Sequence, residues 1–180
     1  MATQQTSNIE WVDIGLDGLE KFIPGIPKGD AILVRGEPGT GKTICCLQFL
    51  YRGAKNGEKC LYITTEETPE SVMRTGGELW SDFPKLIRNG TIKVVNLSIT
   101  ASYASEYCLV DKTEAMDIVA KGLRAQPGAS RIVIDSLSSL ARRLSNSAEF
   151  REVFMKLLLE TKRQGSTVLL TAEGIPLTPD

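Results

Sequence analysis

The segment GEPGTGKT at residues 36–43 constrains this chain more than any other part of its sequence. It fits the pattern G-x-x-x-x-G-K-[ST] and lies between an apolar run at 31–35 and a helical stretch that begins at Lys42. Its glycines let backbone N–H groups point inward around an anion, and the following helix directs the positive end of its dipole at the same anion. A chance glycine-rich turn is the alternative, but strand and helix both stand where a phosphate-binding loop requires them. The segment therefore predicts a strand–loop–helix unit that binds phosphate.

The residue types of this loop suit a nucleoside triphosphate with its metal ion. We expect Lys42 to reach the β- and γ-phosphates and the Thr43 hydroxyl to bind Mg²⁺. Because Lys42 would touch the phosphate that is transferred, it is a catalytic as well as a binding candidate. The candidate binding residues are Gly36, Glu37, Pro38, Gly39, Thr40, Gly41, Lys42 and Thr43.

Short apolar runs alternate with helical stretches along the chain, a pattern typical of a mainly parallel sheet with crossover helices. The runs are apolar throughout, as expected for strands covered on both faces, so we predict a three-layer α/β sandwich. Its strands, lettered a to e, are 31–35, 60–64, 92–97, 131–135 and 167–171. Its helices run from 42 to about 55, from 68 to about 79, from 113 to 125, and through an apolar stripe at 150–161 that ends at Gly165.

Composition excludes several classes of site. The 180 residues include no histidine, which rules out a Ser-His-Asp triad, a Cys-His pair and an imidazole-bound zinc. The four cysteines show no C-x-x-C spacing, so a redox or zinc role is weakly supported. No apolar run approaches the length of a membrane span, and we expect a cytoplasmic protein without a membrane partner. We predict a flexible segment at 1–10 and one domain at 11–180.

Carboxylates follow two of the predicted strands. Strand d ends in Asp135, at the sheet edge where the carboxyl ends of parallel strands meet, so Asp135 could hold Mg²⁺, through water, opposite Thr43. An aspartate is also a common way to begin a turn. Strand b is followed by Glu66 and Glu67, either of which could orient and deprotonate water for hydrolysis of a γ-phosphate. Both carboxylates would also interact favourably with the positive N-terminal end of the helix that begins at Thr68. This role in the helix is compatible with a role in hydrolysis.

From 12 to 171 the sequence resembles the RecA-superfamily ATPases and, within them, the KaiC-like proteins. The motif EETP in the same chain as a Walker A loop is more specific for this family than either motif alone. The segments that carry the resemblance are GLDGL at 15–19, GIPKG at 25–29, the Walker A loop at 36–43, QFLY at 48–51, the paired catalytic glutamates in EETP at 66–69, and the Walker B strand IVIDS at 132–136.

The resemblance implies a RecA-like P-loop core with strand order c-b-d-e-a, which would bring Glu66 near Asp135. Glu66 then corresponds to the single catalytic glutamate of RecA-type proteins, with Glu67 as its partner. Strand e ends at Thr171, where such proteins carry a polar γ-phosphate sensor, and Glu173 stands close by. Family members continue with further strands, so we expect those strands, the trans-acting basic residues and the autophosphorylation sites to be missing here. Strand a would then be an open, apolar edge.

Four functions are compatible with these motifs. The resemblance favours a regulatory or signalling ATPase that binds ATP with Mg²⁺, hydrolyses it slowly to ADP, and forms a homo-oligomer, with a hexamer as the family expectation and a protein signalling partner. One alternative is an assembly module that binds ATP without hydrolysing it. Another is a RecA-type DNA recombination or repair accessory ATPase, which the net charge of −1 disfavours. The compact basic pair Arg142-Arg143 fits a solvated helix face. A small-molecule kinase would need an arginine-bearing lid. The sequence shows no convincing lid, although the connection at 97–111 could contain a mobile loop.

Overall fold

The sheet and its helices are formed by residues 9–97 and 112–174, the parts of the chain that the computed structural model describes. The strands are β1 (Trp11–Val12), β2 (Ile26–Pro27), β3 (Ala31–Arg35), β4 (Cys60–Thr64), β5 (Ile92–Asn96), β6 (Arg131–Asp135) and β7 (Thr167–Ala172). The α-helices are α1 (Lys42–Lys55), α2 (Pro69–Leu79), α3 (Phe83–Arg88), α4 (Lys112–Arg124), α5 (Leu137–Ala141) and α6 (Ser147–Arg163). Most of the predicted flexible segment and of the predicted 97–111 connection lies outside the described residues.

The central sheet is parallel and has the order β5-β4-β6-β7-β3. In the predicted lettering this is c-b-d-e-a, so the order that the resemblance implied is confirmed. The register pairs Thr64 with Asp135 and Val34 with Thr171. The carboxyl ends of the four strands β3, β7, β6 and β4 therefore meet at one edge, where the loops that follow them converge.

Helices cover both faces of the sheet, as the predicted three-layer architecture requires. Alternate residues of β4 point into opposite layers. Leu61 and Ile63 pack with the buried faces of α4, α5 and α6, whereas Cys60 and Tyr62 pack with those of α1, α2 and α3. Among the described helices, none combines the length and the apolar character that a membrane crossing requires.

A buried arginine fixes the amino end of the central strand β6. The Arg131 side chain is 3% exposed and forms a two-pronged ion pair with Glu58, with both N···O distances 2.9 Å. It also donates to the carbonyls of Asp13 and Phe49. Because an arginine fork satisfies several acceptors at once, this one group ties the segment before the sheet, helix α1 and the approach to β4 together. The amino end of β6 is thereby held in place, and the carboxyl end of the same strand carries Asp135.

Strand β3 forms one side of the sheet within the described residues. It pairs with β7, and its residues alternate between exposed and half-buried, with Leu33 44% exposed. The short β1 and β2 form a separate antiparallel pair. An apolar edge strand of this kind presents backbone groups that another strand can bind.

Candidate functional site

The loop at 36–41 connects β3 directly to α1 at the carboxyl edge of the sheet. Gly39 and Gly41 adopt φ values of 80° and 87°, which side-chain-bearing residues rarely adopt. Gly41 is the N-cap of α1, so no side chain caps the N–H groups of the first turn. These N–H groups and the helix dipole are therefore directed at the space that the loop encloses, and they favour an anion there.

Lys42 folds back over this loop. Its ammonium group donates to the carbonyl oxygens of Gly36 at 2.9 Å and Glu37 at 3.0 Å. The Thr40 hydroxyl donates to the same Glu37 carbonyl at 2.8 Å. The positive charge of Lys42 is thus held at the loop, and within residues 9–97 and 112–174 it forms no ion pair with a carboxylate. A carboxylate partner would compete with a phosphate for this charge more strongly than the two carbonyls do.

The carboxylate of Asp135 is the point on which the site converges. Its Oδ2 accepts hydrogen bonds from the hydroxyls of Thr43 at 3.0 Å and Tyr62 at 2.7 Å, and its Oδ1 accepts one from Thr171 at 2.5 Å. These donors come from α1, β4 and β7 respectively. The structure thus brings together Thr43 and Asp135, the two residues that the sequence suggested as metal ligands, and it places the predicted sensor Thr171 on Asp135.

The oxygen atoms of Thr43 and Asp135, as candidate ligands, would suit magnesium better than a softer metal. Among the described residues, no group of three or more His, Cys, Asp or Glu side chains could hold a metal ion. Mg²⁺ prefers oxygen ligands and commonly binds through one or two protein groups, with water and substrate phosphates completing its shell. The Thr43 hydroxyl and the Asp135 carboxylate beside a phosphate-binding loop fit that pattern.

Buried hydroxyl and thiol groups between the sheet and α1 stay protonated. Burial raises the pKa of the Tyr62 hydroxyl well above its ordinary value, and the nearby Asp135 carboxylate raises this pKa further. Burial likewise raises the pKa of Cys46, again with a smaller contribution from Asp135. Burial also raises the pKa of Cys60, to about 12. These thiols therefore behave as small core residues, and Tyr62 serves as a hydrogen-bond donor.

The two glutamates after β4 point to different partners. The Thr64 side-chain oxygen accepts from the backbone N–H groups of Glu66 and Glu67 and fixes the turn. The Glu67 carboxylate accepts from the Ser71 hydroxyl at 2.8 Å, in the first turn of α2. Its backbone carbonyl also accepts from Asn96 at 2.6 Å. The Glu67 carboxylate thus contacts the first turn of α2. This contact agrees with the stabilising role at the start of that helix that the sequence also suggested for Glu66 and Glu67.

Glu66 instead faces the loop that follows β6. The Ser136 hydroxyl lies 3.4 Å from its Oε1, and an Arg142 nitrogen lies 3.6 Å from the same oxygen. The Glu66 side chain is 54% exposed, so it remains open to water. The register of β4 and β6 explains this position, because Thr64 is paired with Asp135 and the turns after both strands run side by side.

Two residues of this site were missed by sequence reasoning. Tyr62 lies in an apolar strand, two residues before the end of that strand. The only sequence feature that could have indicated its role is its hydroxyl group among apolar neighbours. Arg142 was assigned to a solvated helix face. In the structure it lies beside Glu66 and also pairs with Glu173 at 2.8 Å.

Comparisons with known proteins agree with this geometry. A family model described as "ATPase: KaiC" matches residues 12–175. The circadian clock protein KaiC3 of Synechocystis is 29% identical over 180 residues, 97% of this chain and 35% of that protein. A UPF0273 protein of Pyrobaculum aerophilum is 35% identical over 133 residues, 70% of this chain and 46% of that protein. The crystal structure of a KaiC-like protein from Pyrococcus horikoshii matches with a TM-score of 0.74 and 32% identity, over 92% of this chain and 73% of that one.

The chain spans about a third to a half of the length of these two curated relatives. The similarity therefore concerns the domain that surrounds the glycine-rich loop, since this domain is what the aligned residues contain.

Replacing Tyr62 with Phe tests the environment of Asp135. At neutral pH we expect Tyr62→Phe to lower the free energy of unfolding by about 2 kcal/mol, because a hydrogen bond to a charged group is lost. Because the pKa of Tyr62 is raised in the folded protein, the parent keeps the full stabilisation below the unfolded-state pKa of about 10. Above that pH, the free energy of unfolding of the parent falls by about 1.4 kcal/mol per pH unit, a loss that the variant does not undergo. The gap between the two proteins should therefore close in alkaline solution, as measured by urea unfolding. A gap that is unchanged above about pH 10 would contradict a buried, protonated Tyr62.

Proposed function

Since this chain belongs to the KaiC family of RecA-superfamily ATPases, we propose that it binds ATP with Mg²⁺ and hydrolyses it slowly to ADP and phosphate. The observation that carries the proposal is the 3.0 Å contact between Thr43, at the start of α1, and Asp135, at the end of β6. This contact supports the proposal because it joins Asp135, a candidate metal ligand, to the residue that follows the loop at 36–42, and the candidate base Glu66 follows the neighbouring strand β4.

The loop at 36–43 would bind the phosphates of ATP. Its support is the pair of left-handed glycines and the uncapped first turn of α1. Lys42 would exchange its two carbonyl acceptors for phosphate oxygens, which are charged and therefore stronger acceptors. This exchange would move only a flexible side chain, which supports phosphate binding without a change in the loop backbone.

Thr43 and Asp135 would hold the metal ion. When bound, Mg²⁺ neutralises charge on the phosphates and fixes their orientation for transfer. Tyr62 and Thr171 keep the Asp135 carboxylate in place through their hydroxyls. Their role in the proposal is to position a ligand, and neither needs to touch ATP.

Glu66 is the proposed general base. The attacking water gives a proton to the Glu66 carboxylate while its oxygen forms a bond to the γ-phosphorus and the bond from that phosphorus to the ADP oxygen breaks. Glu66 is supported over Glu67 because its carboxylate faces the loop after β6, whereas the carboxylate of Glu67 is bound to Ser71. Glu67 would then act as a partner that orders the turn.

A regulatory role and self-association complete the proposal. Two matched relatives are named circadian clock proteins, KaiC3 and KaiC, which supports regulation by nucleotide state. The apolar edge strand β3 supports a homo-oligomer, for which a hexamer is the family expectation. A protein signalling partner and a cytoplasmic location belong to the same proposal. An assembly module that binds but does not hydrolyse ATP is the second candidate, favoured by the exposure of Glu66.

Substituting the two glutamates one at a time tests the chemistry. Glu66→Gln keeps the shape of the side chain but removes the base, so we expect phosphate release to fall roughly 10²-fold or more while ATP binding is retained. Glu67→Gln is the matched control and should cost far less, because its carboxylate binds Ser71. A Glu66→Gln variant that turns over like the parent would refute the assignment, and a parent without turnover would favour the non-hydrolysing module.

Light scattering after size-exclusion chromatography tests self-association. We expect a mass above that of one chain, increasing with Mg-ATP, and a lower mass for Leu33→Lys, because a charge on an exposed edge strand opposes pairing. Lys93→Ala, an exposed change on the opposite edge strand β5, is the control. A parent that stays monomeric at high concentration with and without Mg-ATP would end this part of the proposal.

A further inference from the structure

Arg142 lies between two carboxylates that belong to different parts of the fold. One of its terminal nitrogens is 2.8 Å from Oε2 of Glu173, which follows β7, and the other is 3.6 Å from Oε1 of Glu66, which follows β4. Arg142 itself is the residue after α5. A single planar guanidinium thus spans the ends of two strands, on either side of the strand that carries Asp135.

The Glu173 end of this bridge is the better anchored one. The backbone N–H of Glu173 donates to the Ser138 hydroxyl at 2.9 Å, and its carbonyl accepts from Arg35 at 3.3 Å. Arg35 also donates to the next carbonyl, that of Gly174. Because the backbone N–H and the backbone carbonyl of Glu173 are both held and its side chain is 25% exposed, Glu173 is a fixed attachment point for Arg142.

The contact with Glu66 contributes little to stability. The side chains of Arg142 and Glu66 are 55% and 54% exposed, and exposed ion pairs typically contribute about 0–1 kcal/mol. Its effect is geometric. The Ser136 hydroxyl and Arg142 both approach Oε1 of Glu66. Among residues 9–97 and 112–174 the structure shows no hydrogen bond to Oε2, so that oxygen is the one left for water.

We propose that Arg142, held by Glu173, is a positioning residue that orients the Glu66 carboxylate for hydrolysis. The proposal rests on the proposed role of Glu66 as general base. Arg142 neither gives nor takes a proton in this scheme, and the proton from the attacking water goes to Glu66. A carboxylate that turns freely would spend less time aligned with that water, and small misplacements of catalytic groups cost large factors in rate.

The test compares phosphate release by Arg142→Ala with that by Arg143→Ala. Arg143 carries the same charge at the next position but lines the apolar space between α4, α5 and the sheet. We expect Arg142→Ala to lower kcat about 10-fold with KM within about twofold of the parent value, and Arg142→Lys to recover part of the loss. Glu173→Gln should lower kcat to a lesser degree, because Arg142 loses its anchor. Melting temperatures should match that of the parent.

The same variants distinguish a failure of the proposed function from a failure of the positioning role of Arg142. If the parent has no turnover, the proposed hydrolysis fails, and if Glu66→Gln retains the parent rate, the assignment of Glu66 as base fails; the inference fails in both cases. If Glu66→Gln is inactive but Arg142→Ala behaves like Arg143→Ala, the base assignment stands and the positioning role is refuted. An Arg142→Ala variant faster than the parent would also refute it, because Arg142 would then restrain Glu66. A double variant no slower than Glu66→Gln alone is the result expected if Arg142 acts through Glu66.

Discussion

The site depends on one carboxylate that is held by three hydroxyl groups. Asp135 ends the central strand β6, where an ionised side chain needs hydrogen-bond donors to offset its loss of water. Tyr62, Thr171 and Thr43 supply them from the two flanking strands and from the first turn of α1. The interaction therefore fixes the spacing between the sheet and the glycine-rich loop at 36–41. It also explains why polar groups are buried in strands that are otherwise apolar.

The chemistry of the site follows from the parallel register around this carboxylate. Because Thr64 pairs with Asp135, the turn after β4 runs beside the turn after β6 and carries Glu66 to the same edge. The strand on the other side, β7, delivers Glu173, and Arg142 joins the two glutamates. A candidate metal ligand, a candidate base and Glu173, the anchor of the proposed positioning residue Arg142, thus follow or end neighbouring strands of one sheet.

The long elements and the loop could be predicted from the sequence because each has a strong local signal. Strands β3, β4 and β6 and helix α1 match their predicted bounds, and Thr68 caps α2 as expected. The short elements lacked such signals. Helix α5 is five residues long and serine-rich, α3 is shorter than two turns, and β1 and β2 have two residues each. The roles of Tyr62 and Arg142 depend on contacts between residues far apart in sequence, which periodicity does not reveal.

A calorimetric titration of ATP with Mg²⁺ into the parent and into Lys42→Ala tests the central claim most directly. We expect the parent to bind ATP and Lys42→Ala, although folded, to lose most of its affinity, since the ammonium that the loop holds would contact the phosphates. The exposed lysine variant Lys93→Ala should bind like the parent. Equal affinity of the parent and Lys42→Ala, or no binding by the parent, would contradict the assignment of residues 36–43 as a phosphate-binding loop.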